Sequence, residues 1–364
     1  MILKGFELDD IYNYRKEVDA VDEEILDLLN RRADLAKKIG RIKKADKKEI
    51  HASKREIEIY EELFSKNKGP LSNESIRNIY REIISASRSL EGSIKVSFLG
   101  PEASFTHLAS IKQFGLSAKY QSVNFIKDVF DEVEKGTTMF GVVPVENSTE
   151  GAVNLTLDTF LETDLKIYGE ILLPINHNLL NRSGNIKDVK KIVSHPQSIA
   201  QCREWLEKNL KNVPLLEVSS NAIAAIMASK NKSLGAIASK IAGDIYGLRV
   251  VKRNIEDNIN NFTRFLVISK NYPERTGDDK TSLLFSIKDR AGALYRMLEP
   301  FAENKISLSK IESRPSKKKP WEYVFYLDLL GHINDTAVKK AINILKNNCI
   351  FLKFLGSYPK AKLL

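Results

Sequence analysis

The sequence has few of the residues that build disulfide frameworks and metal sites. It contains two cysteines and five histidines among 364 residues. Cys202 and Cys349 lie far apart, without a CxxC spacing or a nearby histidine pair, so we expect neither a disulfide framework nor a zinc site. Unpaired cysteines are typical of a reducing compartment, and we predict a cytoplasmic protein that works without a metal ion or other cofactor.

Long apolar runs are also missing. No stretch approaches the roughly 18 consecutive apolar residues that a membrane span requires, and the segment MILKGFELDD carries acids where a secretory signal has an apolar core. We therefore predict no membrane association. The net charge is +10, and Lys317–Lys319 form a basic cluster in a predicted loop. Nucleic-acid binding would require the charge to be gathered in a patch with aromatic residues or in a known binding module, so we expect none. Small anionic ligands suit this charge better.

Three zones of different composition divide the chain. Residues 1–92 contain a single proline and three helical patterns, whereas short Val- and Ile-rich runs alternate with helical stretches over residues 94–270. After the polar break KNYPERTGDDK, residues 280–360 read strand, helix, strand, strand, helix, strand, which is the ferredoxin-like order. We predict an all-α domain of three helices, a two-lobed α/β domain with parallel strands and crossover helices, and a ferredoxin-like βαββαβ domain.

The first helical pattern, from about Asp9 to Lys44, is long for its domain. Its apolar residues alternate gaps of three and four, and at 1.5 Å per residue the helix would extend about 54 Å. The other two predicted helices are too short to cover it. We therefore predict an intertwined homodimer in which two chains share this helix, and such dimers could pair further into a tetramer.

Polar side chains interrupt the apolar faces of all three predicted helices. Arg32 and Lys43 are eleven residues apart, which places them within roughly 20° of each other on one side of the first helix. Glu56 falls on the apolar face of the second helix, and Ser87 and Glu91 on that of the third. Buried salt bridges, Arg32 with Glu56 or Lys43 with Glu91, would explain each residue alone. A cavity for a small dianion explains the set better, because buried ion pairs rarely offset their desolvation.

The helical zone resembles the all-helical chorismate mutase family, whose dimers exchange a long first helix. The matching segments are YRKEVDAVDEEILDLLNRRADLAKKIGRIKK, SKREIEIYEEL and YREIISASRSLE. The resemblance implies rearrangement of chorismate to prephenate by a set comprising Arg15 (from the partner chain), Arg32, Lys43, Arg55, Glu56, Ser87 and Glu91. Ala52 stands where one relative has an acid, so a contact to the substrate hydroxyl is expected to be lost or made by backbone.

Four segments of the middle zone combine small hydroxyl and amide residues at predicted strand-to-helix junctions: GPEASFTH, VENSTEG, SHPQSIAQC and NNFTRF. Ordinary caps and turns would account for most of them, with Asn147 and Ser148 capping one helix and His195 and Pro196 starting another. Together the segments resemble prephenate dehydratase over residues 94–270. The resemblance implies a catalytic cleft lined by Glu146, Asn147, Gln201 and Thr263, with secondary contacts from Ser104, Thr106, Ser148, Ser194, Gln197 and Arg264.

The reaction that this resemblance implies is the loss of carbon dioxide and the ring hydroxyl from prephenate, which gives phenylpyruvate. Aromatisation supplies the driving force, so the protein must protonate the departing hydroxyl and hold the ring carboxylate in a water-poor site. Thr263 is implied to hydrogen-bond the hydroxyl. Since threonine alone is a poor acid, we expect Glu146 to relay or supply the proton.

The last zone contains GAL and ESRP, which resemble the phenylalanine-binding signature of the amino-acid-sensing ACT domain. A simple helix start and a loop would explain the same residues. The resemblance implies that phenylalanine binds and inhibits through Gly292, Ala293, Leu294, Glu312, Ser313, Arg314 and Pro315. Feedback would then require that phenylalanine bind one global state more tightly.

Two other functions remain open from the sequence. The chain could be a dehydratase whose helical domain serves mainly dimerisation or control, or a non-enzymatic protein whose two-lobed cleft holds an anion. The intact set Glu146, Gln201 and Thr263 argues against the second of these.

The Glu91 side chain generates a test of the mutase mechanism. A carboxyl group can donate a hydrogen bond only when protonated, whereas the Gln that other family members carry at this position donates at every pH. We expect mutase activity to fall as Glu91 ionises with rising pH, and Glu91→Gln to remove that decline. The measurement is kcat/KM for chorismate across pH, and an unchanged profile in the variant would contradict the donor role.

Overall fold

The computed structural model describes residues 8–45, 53–288, 290–316 and 322–362. The chain divides into two compact units, the first formed by residues 1–52, 59–94 and 114–118 and the second by residues 53–58, 95–113 and 119–364. The α/β and ferredoxin-like zones therefore lie in one unit. Within the described ranges, no helix combines the length and apolar character needed to cross a membrane.

Regular elements follow the three zones of the sequence. The helical module comprises α1 (Leu8–Ala45), α2 (Ser53–Lys66) and α3 (Asn73–Glu91). The α/β module comprises β1 (Lys95–Leu99), α4 (Phe105–Phe114), β2 (Lys119–Val123), α5 (Ile126–Lys135), β3 (Phe140–Asn147), β4 (Gly151–Ala152), α6 (Asn154–Glu162), β5 (Lys166–Pro174), β6 (Asn178–Asn181), β7 (Lys191–Ser194), α7 (Pro196–Ala200), α8 (Arg203–Asn209), β8 (Leu215–Glu217), α9 (Asn221–Lys230), β9 (Leu234–Ala238), α10 (Lys240–Tyr246), β10 (Arg249–Lys252) and β11 (Phe262–Ser269). The C-terminal module comprises β12 (Asp279–Ser286), α11 (Ala293–Glu303), β13 (Leu308–Pro315), β14 (Tyr323–Leu330), α12 (Thr336–Asn348) and β15 (Phe351–Pro359).

Helix α1 presents two different faces. The apolar stripe predicted from the sequence is exposed in the single chain, with Leu28 62% and Ile42 65% exposed. The face that packs against α3 instead carries small residues, Ala36 and Gly40. A Cβ atom on Gly40 would lie only 2.7 Å from the Cα atom of Glu91, so the absence of a side chain allows the two helices to approach closely.

The α/β module forms two lobes, each with a mixed sheet. The strand order is β2-β1-β3-β11-β5 in the first lobe, where β4 also pairs with β3, and β10-β6-β9-β7-β8 in the second. The predicted parallel arrangement holds for β1 with β2 and β3, and for β7 with β8 and β9. It is wrong for β6, which runs antiparallel to β9 and β10. It is also wrong for β11, which runs antiparallel to β3 and β5 because the chain returns to the first lobe from the second at the edge where β3 ends.

The C-terminal module is ferredoxin-like, as predicted, with the antiparallel strand order β13-β14-β12-β15. Leu283 and Phe285 of β12 point to one face, where they pack with side chains of α11 and α12. Leu284, Tyr326 and Tyr358 point to the other face and belong to the same buried cluster as residues of β3, β5 and α5. The open face of this sheet therefore shares a core with the first lobe.

The close approach of α3 at Gly40 predicts that an alanine at this position destabilises the fold, the opposite of its usual effect in a helix. Glycine to alanine in a helix interior normally stabilises by about 0.5–1 kcal/mol, but at Gly40 the added methyl meets α3 backbone, and overpacking costs about 1–3 kcal/mol. We expect Gly40→Ala to lower the free energy of unfolding, measured by urea denaturation followed by circular dichroism. Asn30→Ala, at an exposed position of α1, is the control and should not destabilise. A Gly40→Ala chain as stable as the wild type would contradict this packing.

Candidate active sites

A cavity of about 610 Å³ opens between the two lobes of the α/β module. Strand ends and helix starts supply its lining, including the first residues of α4 and α9. Six of the predicted residues line it: Ser104, Thr106, Asn147, Gln197, Gln201 and Thr263. Among the described lining residues none is Asp, Glu, Lys or Arg, so side-chain amides, hydroxyls and the partial positive charge of helix N-termini would meet an anionic ligand.

A chain of amide hydrogen bonds fixes the central side chains of the cleft. Asn147 Nδ2 donates to Thr263 Oγ1 and to Asn261 Oδ1, both at 2.9 Å. Asn261 Nδ2 in turn donates to Gln201 Oε1 at 3.1 Å. Because the Thr263 oxygen accepts from Asn147, its own proton is oriented away from Asn147, and the side chain that carries it lies in the cleft.

The alternation of β11 and β3 places these residues. Thr263 and Asn147 are paired across the two strands, 116 positions apart in the chain. The Asn147 Oδ1 atom accepts from the backbone amide of Thr149 at 3.0 Å, which closes the turn after β3. Helix capping by Asn147 and Ser148, the alternative from the sequence, is wrong, since α6 begins only at Asn154. His195 does cap α7, as that alternative proposed.

His177 and Asn261 are cleft-network residues that the sequence analysis did not single out. His177 is 1% exposed, and its Nε2 atom lies 2.9 Å from Gln201 Oε1. Burial lowers the pKa of His177, although the hydrogen bond with Gln201 and the charge of Glu256 act in the opposite direction. The ring is therefore a neutral donor at neutral pH. Asn261 stands within NNFTRF and could have been noticed there, but no motif or spacing marks His177.

Glu146 and Arg264 lie outside the cleft lining, whereas the sequence analysis expected Glu146 among the catalytic residues and Arg264 among the secondary contacts of the cleft. A β-bulge in β3 explains this placement. Arg264 pairs with Glu146 but Phe265 pairs with Pro144, so Val145 is an extra residue, and the alternation of side chains changes sides at that point. Both charged side chains point to the opposite side of the sheet from Asn147 and Thr263. There the Glu146 carboxylate contacts Lys310 Nζ of β13 at 2.8 Å.

Arg264 is almost completely buried in an ionic network with the C-terminal module. Its Nε atom donates to Glu170 Oε2 at 2.7 Å, its Nη1 to Asp328 Oδ2 at 2.6 Å and its Nη2 to the Tyr358 hydroxyl at 3.0 Å. Burial acts to lower the pKa of Arg264, but the charges of Asp328 and Glu170 outweigh it and raise the pKa well above its ordinary value. This residue holds two modules together and does not line the cleft.

Two other predicted contacts of the cleft have structural partners. Ser194 is fully buried, and its hydroxyl donates to the Ile237 carbonyl at 2.9 Å. Ser148 is exposed, and its hydroxyl donates to the Asn260 carbonyl at 3.2 Å and accepts from the Phe262 amide at 2.9 Å. Both side chains secure the strands and loops around the cavity.

Four of the predicted mutase residues meet between α1 and α3. Arg32 Nη1 donates to the Ser87 hydroxyl and, at 3.4 Å, to the Ile83 carbonyl. Lys43 Nζ contacts Glu91 Oε2 at 2.9 Å, with the Glu91 side chain 10% exposed. The salt-bridge alternative therefore holds for the Lys43–Glu91 pair.

The remaining predicted mutase residues are placed elsewhere on the helices. Arg15 is exposed on α1, 17 residues before Arg32, which separates their Cα atoms by about 26 Å. Arg55 is exposed in the first turn of α2 and contacts Glu58 at 3.2 Å, whereas Glu56 is half-buried. Ala52 lies outside the described residues.

The predicted effector residues occupy one helix start and one strand. Gly292 precedes α11 with φ of 73°, a left-handed conformation that favours glycine. Ala293 lines a second cavity, of about 310 Å³, and Leu294 is 38% exposed. Glu312, Ser313, Arg314 and Pro315 form the end of β13.

The buried His177 predicts how stability depends on pH. The pKa of His177 in the folded chain lies below the ordinary 6.5. As the pH falls through 6.5, the unfolded chain therefore binds a proton more readily than the folded chain does, and the free energy of unfolding decreases. One such histidine contributes up to about 1.4 kcal/mol per pH unit. We expect His177→Gln, which keeps a donor for Gln201, to make this dependence less steep in urea denaturation between about pH 5 and 7.5.

The matched comparison is His107→Gln, because burial also lowers the pKa of His107 against the opposing charge of Glu102. The double variant should show a weaker pH dependence than either single variant. A His177→Gln chain that loses stability with acid as steeply as the wild type would contradict a neutral His177.

Comparison with known proteins identifies all three modules. Residues 14–92 match the family described as chorismate mutase type II, residues 96–273 match prephenate dehydratase, and residues 281–347 match the ACT domain. The bifunctional chorismate mutase/prephenate dehydratase of Aquifex aeolicus is 52% identical over 98% of this chain and 99% of its own length. That of Stutzerimonas stutzeri is 43% identical over 98% of this chain and 100% of its own.

Among solved structures, the prephenate dehydratase of Arthrobacter aurescens in complex with L-Phe is similar over 73% of this chain and 90% of its own, with a TM-score of 0.68 and 34% identity. The similarity thus extends from sequence to fold in the α/β and C-terminal modules. The chain belongs to the bifunctional chorismate mutase/prephenate dehydratase family.

Proposed function

We propose that this protein rearranges chorismate to prephenate in its helical module and converts prephenate to phenylpyruvate in the cleft of its α/β module. Both activities are those of the family to which the chain belongs. The observation that carries the proposal is the convergence of Asn147, Gln201 and Thr263 on one cleft of mixed amide and hydroxyl character. The C-terminal module is the phenylalanine sensor.

The mutase step needs positioning more than reactive groups. Breaking the C–O bond and forming the C–C bond occur within one molecule, so the site must hold its two carboxylates and stabilise the ether oxygen as negative charge grows there. We assign a carboxylate to Arg32, whose planar guanidinium binds it in a bidentate manner. Lys43 and, when it is protonated, Glu91 are the proposed donors to the ether oxygen, and the two side chains lie 2.9 Å apart. Arg55 and Glu56 are proposed as further substrate contacts.

The dehydratase step needs a donor and a site that excludes water. The ring carboxylate leaves as carbon dioxide, its electron pair enters the ring, and the C–O bond to the ring hydroxyl breaks as that oxygen takes a proton. Thr263, held by Asn147 at 2.9 Å, is placed to hydrogen-bond the departing oxygen. We assign Glu146 a positioning role, because its carboxylate contacts Lys310 on the far side of the sheet. The neutral lining favours loss of the carboxylate charge.

A second copy of the chain is the proposed cover of the exposed stripe on α1. Val18, Leu28 and Ile42 are each more than half exposed along one face of a helix 38 residues long, and a face of this kind is typical of a helix that packs against another helix. We propose that Arg15 reaches the mutase site of this second copy. Both described cysteines are free thiols, which supports a cytoplasmic location.

The two proposed sites predict separable activities in the full chain. Thr263→Ala should lower dehydratase kcat/KM about 100-fold, the usual effect of losing one aligned donor, and should leave conversion of chorismate to prephenate intact. Arg32→Ala should do the reverse, blocking the first step while supplied prephenate still yields phenylpyruvate. The measurement is product formation from each substrate.

Thr263→Ser is the matched control, because it retains the hydroxyl and should retain most dehydratase turnover. Near wild-type turnover in Thr263→Ala would remove this residue from the mechanism. Mutase activity that survived Arg32→Ala would instead favour a helical module serving dimerisation or control, and a wild-type chain that binds prephenate without turnover would be a binding protein.

A further inference from the structure

The paired ends of β3 and β11 have two chemically different sides. Asn147 and Thr263 lie on the cleft side, joined by a hydrogen bond of 2.9 Å. Glu146 and Arg264, their immediate neighbours in sequence, are paired in the same register and point to the opposite side. A displacement of either charged side chain therefore acts on backbone that is directly bonded to a cleft residue.

The opposite side of this strand pair meets charged residues of the C-terminal module. Lys310 Nζ contacts Glu146 Oε1 at 2.8 Å, and Asp328 Oδ2 contacts Arg264 Nη1 at 2.6 Å. Arg264 Nη1 also lies 3.7 Å from Glu146 Oε2, so the contacts form one connected group. The Lys310, Asp328 and Arg264 side chains are each at most 10% exposed, and Coulomb forces between buried charges are strong and change steeply with distance.

Lys310 stands on the strand that ends in the predicted effector residues. Along β13 exposure alternates, and Lys310, Glu312 and Arg314 share the less exposed face. Arg314, four residues after Lys310, contacts Asp158 of α6 at 3.3 Å. Strand β13 is thus tied to the α/β module by two ion pairs, one in the middle of α6 and one at the strand end that carries Asn147.

We propose that the Lys310–Glu146 ion pair couples phenylalanine binding at the end of β13 to the geometry of the dehydratase cleft. This inference rests on the proposed function and assigns its regulation to a residue pair. A shift of β13 moves Glu146 through Lys310, and Glu146 moves Asn147, which holds the Thr263 hydroxyl. Lys310 is a positioning residue in this scheme, since it contacts Glu146 and does not line the cleft. The Asp328–Arg264 pair is the fixed point against which β13 moves.

The test compares Lys310→Met with Lys310→Arg in the full chain. Methionine keeps much of the apolar stem and removes the charge, whereas arginine keeps the charge. Dehydratase rates are measured against phenylalanine concentration, with kcat and KM for prephenate resolved, and phenylalanine binding is measured directly by calorimetry. Lys340→Met, at an exposed position of α12, is the control for loss of a lysine from this module.

We expect Lys310→Met to bind phenylalanine with an affinity within about twofold of the wild type, while the phenylalanine concentration for half-inhibition rises about tenfold, a typical coupling. Lys310→Arg and Lys340→Met should remain as sensitive as the wild type. Wild-type inhibition of Lys310→Met would overturn the proposal. So would loss of phenylalanine binding in that variant, which would place Lys310 in the effector site itself.

A second measurement separates this inference from the proposed function. If the wild-type chain did not turn over prephenate, the proposed function would fail, and the coupling scheme with it. The ion pair can still be examined by urea denaturation of Lys310→Met, Glu146→Gln and the double variant, where an interaction between the two substitutions is expected. Strictly additive effects would show that the pair carries no energy, and would overturn the inference even in an active enzyme.

Discussion

The guanidinium of Arg264 joins segments of the chain that are far apart in sequence. It belongs to β11, and its partners Glu170, Asp328 and Tyr358 stand on β5, β14 and β15. A charge removed from water is tolerated only when its hydrogen bonds and counter-charges are supplied, and breaking one partner of such a group costs about 3–5 kcal/mol. Strands β5, β14 and β15 must therefore keep one position relative to β11, and the cleft is built on that frame.

The same constraint explains why the reactive side of β11 is free of charge. Thr263 and Arg264 are neighbours, and the alternation of a strand sends them to opposite sides of the sheet. The bulge at Val145 brings β3 into the matching arrangement, with Asn147 towards the cleft and Glu146 towards Lys310. One strand pair thus separates a neutral cavity from an ionic contact between modules, although each cleft residue is next in the chain to a charged one.

Local pattern was sufficient to predict much of this molecule. The three helices and the ferredoxin-like module follow from periodicity and element order, and the cleft position of Asn147, Gln201 and Thr263 follows from the resemblance of their motifs to prephenate dehydratase. The orientation of Glu146 could not be predicted, because it depends on one extra residue in β3 that only strand pairing reveals. His177 was missed because its role depends on Gln201, 24 positions away, and no spacing rule links the two. The antiparallel direction of β11 likewise could not be predicted, because it depends on where the chain returns from the second lobe to the first and not on the composition of the strand.

The shared hydrophobic cluster beneath the C-terminal sheet has a consequence for how the chain can be divided. Leu284, Tyr326 and Tyr358 cover apolar side chains of β3, β5 and α5. Each of the two sheets therefore keeps the apolar face of the other out of contact with water. Cutting the chain in the polar segment KNYPERTGDDK would expose to water the apolar side chains that the two sheets bury against each other. That segment separates two sequence families, but not two folding units, and the sensor and the enzyme it regulates are expected to unfold together.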